Sequence, residues 1–251
     1  MYNAIKKIVG GDVKDKYFIF DLDGTIVNSA DSVIDRMKTS FGIWNLDASA
    51  QTDFIERIKS KIGRPAKSIV IETIKYMDQV YKQQQKPIAE LENLANLITG
   101  LYLNLFYKEK NKQLSMIYPY PWVVECLHKL HEDKAELIIL TSRPMRATIL
   151  ILEHFELADI FGLILAPQPF LFQTKESMLY NLILALEPDL TKPTTLIGDS
   201  VIDMEVGTKL CINTRIGVTW GYGSEEELAK EATHIMSIIQ AQTITFKQIS
   251  E

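Results

Sequence analysis

Cysteine is nearly absent from this sequence: Cys126 and Cys211 are the pair in 251 residues, far apart and without the spacing of a metal or redox motif. A disulfide scaffold is therefore excluded as the organising device, and a reducing, cytoplasmic setting is the expectation. Long apolar runs are missing too. No stretch approaches the roughly 20 apolar residues that a membrane-spanning helix needs. Lys6 and Lys7 are followed by no apolar segment or small-residue cleavage site, so neither membrane attachment nor a secretory signal is expected. Positive charge is in deficit, with 27 Lys and Arg against 32 Asp and Glu for a net charge of -5. No basic stripe stands out, which argues against a nucleic-acid partner. Histidine is scarce. His128 and His131 lie at i, i+3 near Cys126, but opposite the Leu127 and Leu130 stripe, which marks a solvated helix face rather than a zinc site. His154 and His234 have no visible triad partners, neither cysteine has the flanks of a nucleophile, and no internal repeat or low-complexity tract is present.

What is present is an ordinary globular composition, 47% hydrophobic and 24% charged, long enough for one large domain or one domain with an insertion. The chain is organised around Lys16-Tyr17-Phe18-Ile19-Phe20-Asp21-Leu22-Asp23-Gly24-Thr25. A short run rich in aromatic residues reads as a buried parallel strand. Two carboxylates one residue apart cut it off, and Gly24 allows a sharp turn just beyond. Asp21 and Asp23 are thus expected at the C-terminal end of a strand, where open α/β sheets bind ligands. Carboxylates this close repel unless a cation or a proton intervenes, so one can be ionised while the other acts as an acid.

From about Ser29 to Lys112 the periodicity is helical. Val33, Met37 and Phe41 recur at i, i+4, i+8; Val70, Ile74, Met77 and Tyr81 at i, i+4, i+7, i+11. Leu91, Leu94, Ile98, Leu101 and Leu105 continue the pattern after a break at Lys86-Pro87, and Gly63 with Pro65 marks a turn between two helices. This predicts an all-helical block of bundle type inserted after the first strand. Tyr118-Pro119-Tyr120-Pro121 closes it and reads as a hinge or linker, since proline continues neither helix nor central strand.

Beyond the hinge, strands and helices alternate. Strands are predicted at 136–140, 163–165 and 194–197, with a last one at 212–218, and helices at 145–155, 176–186 and 202–210. The fold class is α/β, a parallel sheet covered on both sides. Three strands end in polar groups: Phe20 is followed by Asp21, Leu140 by Thr141-Ser142-Arg143, and Ile197-Gly198 by Asp199-Ser200. In a parallel sheet these endings share one edge, so their side chains converge. Asp199 and Asp203 sit on a strand-to-helix turn and can both face inward; the blander role for them is N-capping and dipole compensation. Asp199 with Asp21 makes a hard-oxygen site suited to Mg²⁺. Thr141 offers a hydroxyl donor at a strand end, which suits an anion, or else a helix cap.

With these motifs in view, the chain resembles the haloacid dehalogenase-like hydrolases, in the phosphoglycolate phosphatase-like form with a helical cap. Phe20-Asp21-Leu22-Asp23-Gly24-Thr25 resembles the family's first motif, Thr141 the second, Lys175 in Gln173-Thr174-Lys175-Glu176-Ser177 the third, and Gly198-Asp199-Ser200 followed by Asp203 the fourth. The resemblance implies a Rossmann-like three-layer sandwich of residues 1–27 and 115–251, a cap of 28–114, and a site where core and cap meet. It implies Asp21 as the nucleophile and Asp23 as general acid and base. Mg²⁺ would be held by Asp21, the Asp23 carbonyl and Asp199, with Asp203 beside them, and the phosphoryl group by Thr141 and Lys175 with Ser142 adjoining.

Two departures stand out. Relatives often carry Asn then Lys after the second-motif residue, where this chain has Ser142 and Arg143, and Pro after the third-motif lysine, where it has Glu176. Arg143 could reach substrate or cover the surface, and the surface is the expectation. Ile62-Gly63-Arg64-Pro65 resembles a cap loop that approaches substrate. Arg64 is therefore a candidate for a substrate carboxylate or second phosphate, against the plainer reading of an exposed loop arginine. Gly217 to Gly223 resembles a segment after the sheet in the same relatives, in which Trp220 is expected to pack. The expectation is a Mg²⁺-dependent phosphatase acting on a small phosphorylated metabolite, as a monomer or homodimer. A phosphosugar mutase keeps both carboxylates and stays open as an alternative. A non-catalytic binding or regulatory member would be expected to lack Asp21, Asp23 or Asp199, and all are present.

Overall fold

The computed structural model describes residues 1–43, 47–80, 88–168, 171, 173–185 and 193–242. It divides into two compact units, one of Met1–Asn28 with Tyr118–Glu251 and one of Ser29–Ile117. Strands are β1 Tyr17–Phe20, β2 Val27–Asn28, β3 Tyr118–Pro119, β4 Glu136–Leu140, β5 Leu163–Leu165, β6 Thr194–Gly198, β7 Thr214–Val218 and β8 His234–Met236. Helices run α1 Tyr2–Ile8, α2 Ala30–Phe41, α3 Ala48–Lys59, α4 Ala66–Val80, α5 Ile88–Lys108 and α6 Lys110–Leu114. They continue with α7 Pro121–Glu132, α8 Met145–His154, α9 Lys175–Ala185, α10 Val201–Lys209, α11 Glu225–Leu228 and α12 Ile238–Gln242. No described helix is long and apolar enough to cross a membrane.

The first unit is a Rossmann-like α/β domain. Six strands form one parallel sheet in the order β5-β4-β1-β6-β7-β8. The chain starts this sheet at its middle, so β1 lies where the strand order turns outward in both directions, the usual ligand position of an open sheet. Period-2 alternation divides its side chains between two faces. Ile19, Ile138, Leu140 and Leu196 pack with Met178 and Leu179 of α9 and Val206 of α10. The alternate residues Phe18, Phe20, Leu137, Ile139 and Ile197 are buried on the other face. Each aliphatic or aromatic side chain so buried contributes roughly 2–3 kcal/mol, which makes the strand under Asp21 a rigid base. Cys126 is buried in α7 and Cys211 exposed, both unbonded. Burial pushes the Cys126 thiol up to about 12.

Two details of this unit go beyond the sequence reading. Tyr118–Pro119, where the chain returns from the helical unit, forms a two-residue strand antiparallel to Val27–Asn28, with Pro121 at the first turn of α7. Proline is tolerated there because the ribbon has no further strand to receive its missing N–H. Beyond β7, the last clear strand in the sequence, β8 pairs parallel to it from Ile216 to Val218; its three residues open with an exposed histidine, so no apolar run marks it.

The second unit is all-helical among its described residues. Val33 and Met37 of α2, Phe54 and Ile58 of α3, and Val70 and Ile74 of α4 are buried, and Phe41 meets Phe54 edge-on at 5.4 Å between centroids. Tyr81 and Lys86-Pro87 lie outside the described residues. The stripe expected on α5 is displaced: Ala95, Ile98, Tyr102, Leu105 and Phe106 face the core, while Leu101 is 45% exposed. The displacement has a cause in α2. The buried Arg36 guanidinium lies 4.1 Å from the Tyr102 ring centroid and 5.2 Å from that of Phe106, and its Nε donates to the Ser32 carbonyl. A desolvated cation over aromatic faces draws the aromatic side of α5 inward in preference to the leucine side.

Candidate active site

The parallel pairing of β1 with β6 runs one residue past the strand, where Asp21 N–H donates to the Ile197 carbonyl at 2.9 Å. Asp21 is thereby fixed at the C-terminal sheet edge. The chain then folds back tightly: Val27 N–H donates to the Leu22 carbonyl, and Gly24 N–H to that of Val27 at 2.7 Å. Gly24 sits at φ +91°, and a Cβ there would lie 2.1 Å from Asp199 Oδ2, so only glycine lets this turn approach β6 so closely.

Asp21, Asp199 and Asp203 are all buried and can bring one oxygen each within 4.8 Å of one another. Their cation is Lys175, the first residue of α9, whose Nζ donates to Asp21 Oδ1 at 2.7 Å and Asp203 Oδ1 at 2.6 Å. A reciprocal cap sets that position: Ser177 N–H donates to Thr174 Oγ1 and Thr174 N–H to Ser177 Oγ. Glu176 forms an exposed ion pair with Lys209, so its departure from the family's proline leaves the lysine in register. Burial works against the Lys175 ammonium, but the charges of Asp203 and Asp21 outweigh it and raise its pKa above the ordinary lysine value. Asp203 also completes a capping box with Ser200, accepting from its N–H at 3.2 Å and its hydroxyl at 2.5 Å. The capping role and the site role foreseen for this residue thus coexist on its two oxygens.

Asp199 accepts from Thr25 Oγ1 at 3.2 Å and from Tyr222 N–H at 2.7 Å. Gly221 stands against it as well, since a Cβ there would lie 2.3 Å from Oδ2. Burial first, then the charge of Asp203, pushes the Asp199 carboxyl up to about 7. Burial pushes Asp21 well above the ordinary carboxylate value, Lys175 pulls it back, and Asp203 and Asp199 add to the push. Three carboxylates held this close against one ammonium are short of positive charge. Asp21 Oδ2 is buried without a hydrogen-bond partner, while its Oδ1 is held by Lys175. A set of buried carboxylates short of positive charge, in a cradle kept open by glycines, fits a small divalent cation such as Mg²⁺. Such a cation would bring these carboxylates back towards their charged forms.

Asp23 occupies a different position from its neighbour. Arg143 Nε donates to Asp23 Oδ2 at 2.9 Å and Nη2 to Oδ1 at 2.5 Å, in a pair that is nearly fully buried. The expected surface position for Arg143 is therefore wrong: the residue is 8% exposed and points into the sheet edge. Sequence position at the end of β4 could not indicate direction, but a second carboxylate just past the end of adjacent β1 was the available signal. Thr141 is buried; its N–H continues the pairing with β5 by donating to the Leu165 carbonyl, and its Oγ1 accepts from Arg143 N–H at 3.1 Å. It does not cap α8, which follows Pro144. Ser142 is half-buried beside it. Arg64 belongs to the helical unit, where it faces Glu72 at 3.5 Å with its side chain 38% exposed. Sequence reasoning missed Tyr222, whose contribution is a backbone N–H that no side-chain pattern reveals. Trp220 packs as expected, edge-on to Trp122 at 5.9 Å, and its Nε1 donates to the Thr25 carbonyl.

Sheet order, helical insertion and carboxylates at one strand edge define the class of fold, and comparison with known proteins gives the family. A model of the haloacid dehalogenase-like hydrolases matches residues 18–216, and the chain belongs to that family. Within it, the similarity is to phosphoglycolate phosphatases. The chain is 27% identical over 206 residues to that of Haemophilus influenzae (strain 86-028NP), covering 81% of this chain and 85% of the relative. It is 26% identical over 223 residues to that of Aliivibrio fischeri, covering 88% and 92%. A predicted phosphoglycolate phosphatase from Haemophilus somnus 129pt shares the fold with a TM-score of 0.72 at 20% identity, covering 93% and 98%. A predicted phosphatase from Clostridium acetobutylicum gives 0.70 at 25%, covering 94% and 99%.

Proposed function

We propose that the protein is a phosphoric monoester hydrolase that cleaves a small phosphomonoester through an aspartyl-phosphate intermediate and depends on Mg²⁺. The observation that carries the reading is the asymmetry of Asp21. One oxygen is tied to Lys175 and the other is buried, unpartnered and aimed by a rigid strand end, as an in-line nucleophile requires. Family membership and the similarity to phosphoglycolate phosphatases support the same reaction class.

Asp21 Oδ2 attacks phosphorus, the bond from phosphorus to the alcohol oxygen breaks, and Asp23 gives that oxygen a proton. Water then attacks the phosphorus of the aspartyl phosphate, Asp23 takes the water proton, and the Asp21 carboxylate and inorganic phosphate separate. Thr141 Oγ1 accepts from Arg143 N–H, which leaves its own proton to donate to a phosphoryl oxygen. Lys175 neutralises Asp21 before attack and the phosphoryl charge after it. Mg²⁺, held by Asp21, the Asp23 carbonyl and Asp199, would supply charge stabilisation for the phosphoryl oxygens. Asp203 holds Lys175. The test is phosphate release from a panel of small phosphomonoesters with and without Mg²⁺. Release that requires the metal is expected, and none from any ester at any Mg²⁺ concentration would refute the reading.

A further inference from the structure

Arg143 is the charged group of the site that neither the family motifs nor the reaction just described absorbs. We infer that Arg143 is a positioning residue for Asp23: its guanidinium clamps both carboxyl oxygens and fixes the plane in which Asp23 presents its acid proton to the leaving-group oxygen, fitting the site to phosphate esters of aliphatic alcohols. The inference rests on the phosphatase reading and deepens it by naming the leaving-group class.

The clamp is anchored on its own side. Arg143 N–H is bound by Thr141 Oγ1 at 3.1 Å, and its carbonyl accepts from Thr148 Oγ1 at 3.3 Å. Pro144 follows with φ −54°, so the backbone that carries the guanidinium has little freedom. From that base the planar fork makes two bonds, to Asp23 Oδ1 and Oδ2, with both side chains nearly buried. One contact would leave a carboxylate free to rotate about its Cβ–Cγ bond; two parallel contacts fix its plane. The same short loop thus sets the Thr141 hydroxyl and the Asp23 plane together, which locks the phosphoryl position to that of the proton donor.

Such a device matters in proportion to the basicity of the departing oxygen. An aryl oxide or a carboxylate leaves without a proton, whereas an alkoxide does not. A lysine in place of Arg143 would keep the charge and lose the fork, and so separates charge from geometry.

The test compares Arg143→Ala and Arg143→Lys with the unaltered enzyme, using an aryl phosphate and a phosphate ester of a primary alcohol. The ratio of alkyl to aryl kcat is expected to fall by about 10-fold or more in Arg143→Ala, given the 10²–10⁴-fold range of general acid–base catalysis. Arg143→Lys should fall with it, and KM should change less than kcat. Added guanidinium ion should restore the ratio in Arg143→Ala, a rescue that a purely structural role would not give. An unchanged or raised ratio in both variants would overturn the inference while leaving the phosphatase reading standing. Full activity in Arg143→Lys would also overturn it, by showing that charge alone suffices. An unaltered enzyme that hydrolyses neither ester would refute the phosphatase reading and this inference together.

Discussion

Lys175→Met removes the ammonium that two buried carboxylates share, and its cost can be worked out from the structure. The Lys175 and Asp21 side chains are each 2% exposed, and the ion pairs to Asp21 and Asp203 are 2.7 and 2.6 Å long. Methionine fills most of the same volume, so the loss is electrostatic. Breaking a buried pair by removing one partner costs about 3–5 kcal/mol, because the charge left behind is neither solvated nor compensated. For a chain of this length each kcal/mol moves Tm by about 2–4 °C, which gives a drop of about 6–20 °C. The Lys209–Glu176 pair, with side chains 60% and 48% exposed, is the internal control. An exposed pair is worth about 0–1 kcal/mol, so Lys209→Met should stay within about 4 °C of the unaltered protein. Thermal unfolding is measured in chelator and again in millimolar Mg²⁺. The lysine variant should regain more in Mg²⁺ than the unaltered protein gains, because a cation meets the same charge deficit. A Lys175→Met Tm within 2 °C of the Lys209→Met value in chelator would refute the idea that this lysine holds the carboxylates together.

Four further outcomes follow from the same geometry. Burial and Asp203 raise the Asp199 carboxyl from an unfolded value of about 3.9 to about 7, so the folded state binds the extra proton; in chelator, stability should fall as pH rises from about 4 to about 7. Asp199→Asn should flatten that slope in a pH series of unfolding curves, and an unchanged slope would refute the assignment. Gly24→Ala puts a Cβ 2.1 Å from Asp199 Oδ2, and half-saturating Mg²⁺ in phosphate-release assays should rise about 10–100-fold; an unchanged value would show that the turn does not support the metal site. Arg64→Ala, which breaks an exposed pair with Glu72, should cost under about 1 kcal/mol in unfolding assays. If Arg64 binds an anionic group of the substrate, the same variant should raise KM for that substrate about tenfold and spare a small aryl phosphate.

The sheet was legible because a strand buried on both faces reads as an uninterrupted apolar run, and β1, β4 and β6 each end abruptly in polar residues. The parallel arrangement then dictated that Asp21, Thr141 and Asp199 share an edge, with no contact known in advance. What could not be read was direction. Arg143 looks like a surface residue in sequence because arginine is exposed by default, and only the presence of Asp23 across the strand boundary turns it inward. On α5, counting leucines placed Leu101 inside. The buried Arg36 selects Tyr102 and Phe106 instead, through an interaction between helices that period alone cannot encode. Short pieces such as β2, β3 and β8 fall below the length at which periodicity registers. Backbone donors such as Tyr222 N–H leave no trace in residue type.

The central claim is that Asp21 becomes phosphorylated during turnover. Enzyme mixed with substrate and Mg²⁺, quenched in acid within the first turnover and digested, is read by mass spectrometry of the peptide that contains Lys16 to Thr25. The account predicts one added phosphoryl group on Asp21, absent in Asp21→Asn and absent in chelator. Steady phosphate release with no phosphorylated Asp21 at any quench time, or turnover retained in Asp21→Asn, would contradict it.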